Sequence, residues 1–111
     1  MALSLKNMGQ AAIGTGSPTT FYTNSSGGNA NLVDILVVNT TAAAITVQVW
    51  SDSDGTAATD AELLFGKNIS VPANDQIHFT GQHIIQNTGT LKAQAASSGL
   101  VLTATGYEGV A

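Results

Sequence analysis

Ile45-Thr46-Val47-Gln48-Val49-Trp50 decides how this chain is read. Ile45, Val47 and Val49 fall on one side of an extended backbone, and Thr46, Gln48 and Trp50 fall on the other. That period of two marks a half-buried strand. The habit continues in both directions. Upstream lie Thr19 to Thr23 and Leu32 to Val38, separated by the loop signal Asn24-Ser25-Ser26-Gly27-Gly28-Asn29. Downstream, Ile69 and Val71 share a face, then Pro72-Ala73-Asn74-Asp75 turns the chain. Ile77 and Phe79 share the next face with His78 between them, and Gly81 is read as a break. Ile84-Ile85 leads into Asn87-Thr88-Gly89; Leu91, Ala93 and Ala95 alternate with Lys92 and Gln94; Ser97-Ser98-Gly99 turns again before Leu100, Leu102 and Ala104.

About eight strands at spacings of roughly ten residues predict an all-β chain, a single antiparallel β-sandwich that is jelly-roll-like. An immunoglobulin-like strand order stays open, because strand order is not written in spacing. Only Ala57 to Leu64 reads as helical, one turn at most. The crossover helices that a parallel sheet demands have no room. Residues 1–18 read as an N-terminal arm, with Gly9, Gly14, Gly16 and Pro18 as breakers and Leu3, Leu5 and Met8 as grip. Such an arm is a frayed end, one edge strand, or a contact laid on a neighbouring copy. Residues 19–111 form the sandwich domain.

Composition narrows the function. Of 111 residues only 9% are charged, against about 25% in an ordinary soluble domain. Thr, Ser, Asn, Gln and Gly carry the polarity instead, so many copies can pack with little repulsion. Net charge is −4, with no arginine and only Lys6, Lys67 and Lys92 as fixed cations. No basic stripe exists to displace counterions from nucleic acid or to seat a helix on a membrane surface. No apolar run approaches the roughly 20 residues of a membrane helix. The opening residues lack the basic and apolar regions of a secretory signal. Without cysteine there are no disulfides and no thiolate metal sites.

Candidate chemistry is thin. Asp52-Ser53-Asp54-Gly55, with Asp60 and Glu62 nearby, invites comparison with a calcium loop, but the glycine comes two places early and a solvated acidic turn is the preferred reading. His78 and His83 are too few for a metal site without cysteine. No nucleophile elbow or phosphate loop occurs. The expectation is a non-enzymatic protein without a cofactor.

Surface presentation is the stronger theme. In Leu32 to Val38, Val33, Ile35 and Val37 form one face and Leu32, Asp34, Leu36 and Val38 the other. A two-layer sandwich covers one face of each sheet, so the second apolar face points to a partner or to cover by the arm. Trp50, opposite Ile45, Val47 and Val49, reads as an outward anchor. The candidate interface is therefore Leu3, Leu5, Met8, Leu32, Asp34, Leu36, Val38 and Trp50. Tyr22 and Tyr107 are the other exposed rings a sugar could use.

The stretch Ile69-Ser70-Val71-Pro72-Ala73-Asn74-Asp75, then Asn87-Thr88-Gly89-Thr90-Leu91-Lys92-Ala93-Gln94-Ala95 and Leu100-Val101-Leu102-Thr103-Ala104-Thr105-Gly106-Tyr107-Glu108, resembles small β-sandwich virion proteins of tailed bacteriophages. Val37-Val38-Asn39-Thr40-Thr41 before Ile45 to Val49 is similar to the same pattern, and the likeness spans roughly residues 30–108. It implies a capsid-decorating, or cement, protein on the outer capsid surface, made in the host cytoplasm. The implied partners are the major capsid protein and further copies of itself as a homodimer or homotrimer. A tail-tip or carbohydrate- and receptor-binding module is the rival expectation.

Overall fold

The computed structural model describes residues 5–52 and 62–110. Eight strands occur: β1 (Lys6–Ala12), β2 (Thr19–Thr23), β3 (Asn29–Asn39), β4 (Ile45–Asp52), β5 (Leu63–Val71), β6 (Gln76–Ile85), β7 (Thr90–Ala95) and β8 (Leu100–Val110). They form two four-stranded sheets, sheet A in the order β1-β8-β3-β6 and sheet B in the order β2-β7-β4-β5. Every neighbouring pair is antiparallel.

The order has a simple reading. β1 pairs with β8, β2 with β7, β3 with β6 and β4 with β5. The chain is thus a two-stranded ribbon folded back at the β4–β5 connection, and successive ribbon pairs alternate between the sheets. That winding is the jelly roll. In an immunoglobulin-like sandwich successive strands share a sheet more often; here only β4 and β5 do, and the open alternative closes.

Alternation does the packing. Ile45, Val47 and Val49 from β4, Leu91, Ala93 and Ala95 from β7, and Leu100, Leu102 and Ala104 from β8 are all buried, filling the layer between the sheets with Ile35, Val37, Val71 and Ile85. Gly106 is required where β8 passes β3, since a Cβ there would lie 2.2 Å from the Asn31 carbonyl oxygen.

Two corners of the ribbon are closed by the same device. Asn39 ends β3 as the chain crosses to sheet B. Its Nδ2 donates to the carbonyls of Ala43 (2.8 Å) and Val71 (3.0 Å), and its Oδ1 accepts from the Thr41 amide (2.9 Å) and hydroxyl (2.8 Å). Asn24 repeats this at the opposite end of β3: Nδ2 donates to Gly28 (2.9 Å) and Ile85 (2.8 Å), and Oδ1 accepts from the Ser26 amide (3.1 Å) and hydroxyl (2.8 Å). Each asparagine also ties the facing turn through backbone bonds, Asn39 N–H to Asp75 and Asn24 N–H to Gly89. The third positions of those turns, Asn74 (φ 52°) and Thr88 (φ 71°), are left-handed. Both asparagines are fully buried, so an amide, which donates and accepts at once, satisfies backbone groups that water cannot reach.

Three expectations need correction. Of the readings of residues 1–18 the edge strand holds, and their separation from the sandwich domain does not: Lys6–Ala12 is edge strand β1, paired with β8, and Met8 and Ile13 lie in the core. Gly9 does not break this strand: it sits at the bulge, with φ 143° and a would-be Cβ 2.8 Å from the Phe21 carbonyl oxygen. Gly81 does not end a strand; Ile77–Phe79 and Ile84–Ile85 belong to one β6 that bulges at that point. The total of eight therefore arises differently, with β1 added and two runs merged. Leu63 and Leu64, expected in a helical turn, open β5, while residues 57–61 of that turn lie outside the described residues.

Candidate docking face on sheet A

Register assembles the outer face of sheet A row by row. Ala12, Val101, Val38 and Gln76 lie side by side; next come Gln10, Thr103, Leu36 and His78; then Asn7, Thr105, Asp34 and Thr80. Leu36, Val38 and Val101 are half-buried at its centre. Ile84, 49% exposed, lies on the same face beside Asn31. The residues around this apolar strip are neutral threonines, glutamines and asparagine. The exceptions are His78 and Asp34, whose Nε2 and Oδ1, respectively, pair on the diagonal between β3 and β6.

Of the predicted interface, Asp34, Leu36 and Val38 are brought together here. Leu5, 59% exposed, stands just before β1, and Leu3 lies outside the described residues. The other three are corrected. Leu32 is 1% exposed and belongs to the core. A bulge between Leu32 and Asp34 inserts Val33, so the alternation changes phase and Leu32 joins Ile35 and Val37. Met8, also 1% exposed, sits inside at the bulge of β1. Trp50 does leave the Val47–Val49 face, but at 5% exposure it offers no open ring; its cross-strand neighbours are Leu63 and Lys92. Val101 and Thr103 were missed because only strand pairing places them beside Leu36 and Val38.

The cation reading fares differently at each residue. Asp52 is fully buried and receives Lys92 Nζ at 2.9 Å, so an ammonium already faces its carboxylate. Asp54 and Asp60 lie outside the described residues. Among the described residues no group of three or more His, Cys, Asp or Glu is gathered as metal ligands. The structure does unite His78 with a carboxylate, but on an open sheet face and not in a cleft. His83 turns instead to the aromatic stack that closes the β5–β6 side, edge-on to Phe65, which lies flat on Phe79 at 3.9 Å.

The opposite side, where β1 and β2 meet, is closed by polar groups. Tyr22 of sheet B donates its phenol proton to Glu108 of sheet A, and Lys6 donates to the same carboxylate. Lys6 and then Tyr22 hold the Glu108 carboxyl below its usual range. Burial first, and Glu108 second, push the Tyr22 phenol well above its ordinary value. The signs differ. A depressed Glu108 contributes stability above about pH 4.3 that is lost on acidification; a raised Tyr22 contributes below about pH 10 and is lost as the pH climbs further. Tyr22→Phe is therefore expected to cost about 1 kcal/mol at pH 7. Urea midpoints should show the gap narrowing both below pH 4 and above pH 10, and a gap unchanged across that range would contradict the linkage.

All four edge pairings carry register breaks, at Asn7/Gly9, Thr20/Tyr22, Leu32/Asp34 and Val47/Val49. Bulged edges twist away from a partner strand and so offer poor templates for edge-to-edge pairing. No protein-family model matches the chain, and no curated protein matches it either.

Proposed function

We propose that this chain is a non-enzymatic structural protein of a bacteriophage virion, decorating and cementing the capsid by seating the outer face of sheet A across neighbouring shell subunits. The observation that carries the reading is the half-buried strip Leu36, Val38 and Val101, set in a nearly uncharged face. Its partners are the major capsid protein and further copies of the chain, as a dimer or trimer on the outer capsid surface. Four strands about 4.8 Å apart, each contributing about seven residues at 3.3 Å, give roughly 450 Å² of face. That is about half of what one partner buries in a stable interface. A single contact is then weak, and repetition over a shell supplies the avidity.

The expected result is co-sedimentation of the chain with shells of the major capsid protein, and at least a tenfold loss of binding in Leu36→Lys/Val38→Lys. These side chains point outward, so urea stability should move by less than about 1 kcal/mol. Undiminished binding by the double variant would rule out this face. Removing residues 1–10 cannot serve as the test, since it deletes most of β1 and the buried Met8. The rival reading, a tail-tip or carbohydrate- and receptor-binding module, asked for Trp50 with Tyr22 or Tyr107 open in one cleft. Trp50 and Tyr22 are buried, and Tyr107 is on the other sheet, so that ring platform does not support it.

A further inference from the structure

The outer face of sheet B holds a shallow pocket of about 140 Å³. Its floor is Thr46 and Gln48 of β4 with Gln94 of β7, the two glutamines standing directly opposite each other. Its walls come from outside the regular ladder. Thr15, in the β1–β2 connection, is fixed by Gln94 Nε2 donating to its carbonyl at 3.0 Å. Asn68 is fixed by Gln48 Nε2 donating to its Oδ1 at 3.0 Å.

Asn68 reaches that place by an excursion of the backbone. Between the pairs Val47↔Ile69 and Val49↔Leu64, β5 spends five residue steps where β4 spends two. Phe65 (φ 68°), Gly66 (φ 119°) and Asn68 (φ 57°) adopt left-handed conformations to make it. A left-handed non-glycine residue costs roughly 1 kcal/mol or more. For Phe65 the stack on Phe79 offsets this; for Asn68 the return is the bond into the pocket.

The chemistry of the lining selects a ligand class. Gln48 and Gln94 use their amide nitrogens in the bonds above and Asn68 uses its oxygen. Gln48 Oε1, Gln94 Oε1 and Asn68 Nδ2 remain, with the hydroxyls of Thr15 and Thr46. That set mixes acceptors, an amide donor and groups that do both. Among the described residues no charged side chain lines the pocket, so none of them offers an anion or a metal ion a counter-charge. A molecule with several adjacent hydroxyls, each donating and accepting, matches it. We propose that this pocket is a subsite for a single residue of a neutral saccharide. Binding there does not depend on the capsid reading, although a chain seated through sheet A would turn this pocket outward.

The experiment is a titration of the intact, ¹⁵N-labelled chain with glucose, galactose, mannose and N-acetylglucosamine in turn, following the side-chain amides of Gln48, Gln94 and Asn68. Saturable shifts of these three amides with at least one sugar, in the millimolar range, are expected. Asn68→Gly keeps the left-handed backbone and removes the amide; it should retain the backbone spectrum and bind at least tenfold more weakly. The proposal is overturned if none of the four sugars gives a saturable shift at these amides, or if Asn68→Gly binds as well as the parent chain. Equal shifts with sodium sulfate would overturn the preference for a neutral ligand.

Discussion

Asn39→Ala is expected to lower the free energy of unfolding by about 4 kcal/mol. The substitution removes two donations, to Ala43 and Val71, and two acceptances, from the Thr41 amide and hydroxyl. The Val71 bond is buried, so its carbonyl would lose a partner that water does not replace. Each buried polar group stranded in this way costs about 1–3 kcal/mol. Against a total stability of about 5–15 kcal/mol, such a loss takes much of the margin. Asn39→Asp separates hydrogen bonding from shape. Its carboxylate keeps the Thr41 bonds and faces two carbonyls with negative charge, so it should be worse than alanine at pH 7 and recover on acidification as the acid gains a proton to donate. Asn24→Ala should cost a similar amount, and because the two clamps lie at opposite ends of β3 the effects should add. Urea denaturation at several pH values checks all three; a loss below about 1 kcal/mol for Asn39→Ala would show that the corner holds without its clamp.

These asparagines also show where sequence reasoning reached and where it stopped. Strands whose alternation is uninterrupted were legible. Ile45–Val49, Leu91–Ala95 and Leu100–Ala104 bury the residues their period of two selects. Bulges were not legible, because one inserted residue reverses every later assignment while leaving composition untouched. Val33 does this to β3, which is why Leu32 changes face while Leu36 and Val38 stay where the pattern put them. Met8 and Ile13 were hidden beside Gly9 and Gly14, which read as breakers, although Gly9 sits within edge strand β1 and does not end it. The strand order had a signal after all. Asn24-Ser25-Ser26 and Asn39-Thr40-Thr41 share a pattern at the two ends of β3, and each marks a corner of the ribbon. Half of the docking face followed from β3 alone. Its other half, and the pocket on sheet B, depend on pairing across strands and on the excursion of β5, neither of which local pattern encodes.

Lys92→Met is expected to cost about 3 kcal/mol, although lysine and methionine have similar size and the site is only partly open. Asp52 is fully buried and Lys92 is 15% exposed, with Nζ and Oδ2 at 2.9 Å. A carboxylate taken out of water loses its hydration, and here the facing ammonium compensates for part of that loss. Withdrawing the ammonium leaves the desolvation in place, which is why breaking one side of such a pair costs about 3–5 kcal/mol. The lower figure applies because the lysine keeps some contact with solvent. Restoring neutrality should return most of the loss, so Asp52→Asn/Lys92→Met is expected within about 1 kcal/mol of the parent chain. The two single substitutions and the double one close a thermodynamic cycle by urea denaturation. A coupling energy near zero would mean that Lys92 contributes through its methylene stem, beside Trp50 on the neighbouring strand, and that the buried carboxylate is held by other groups.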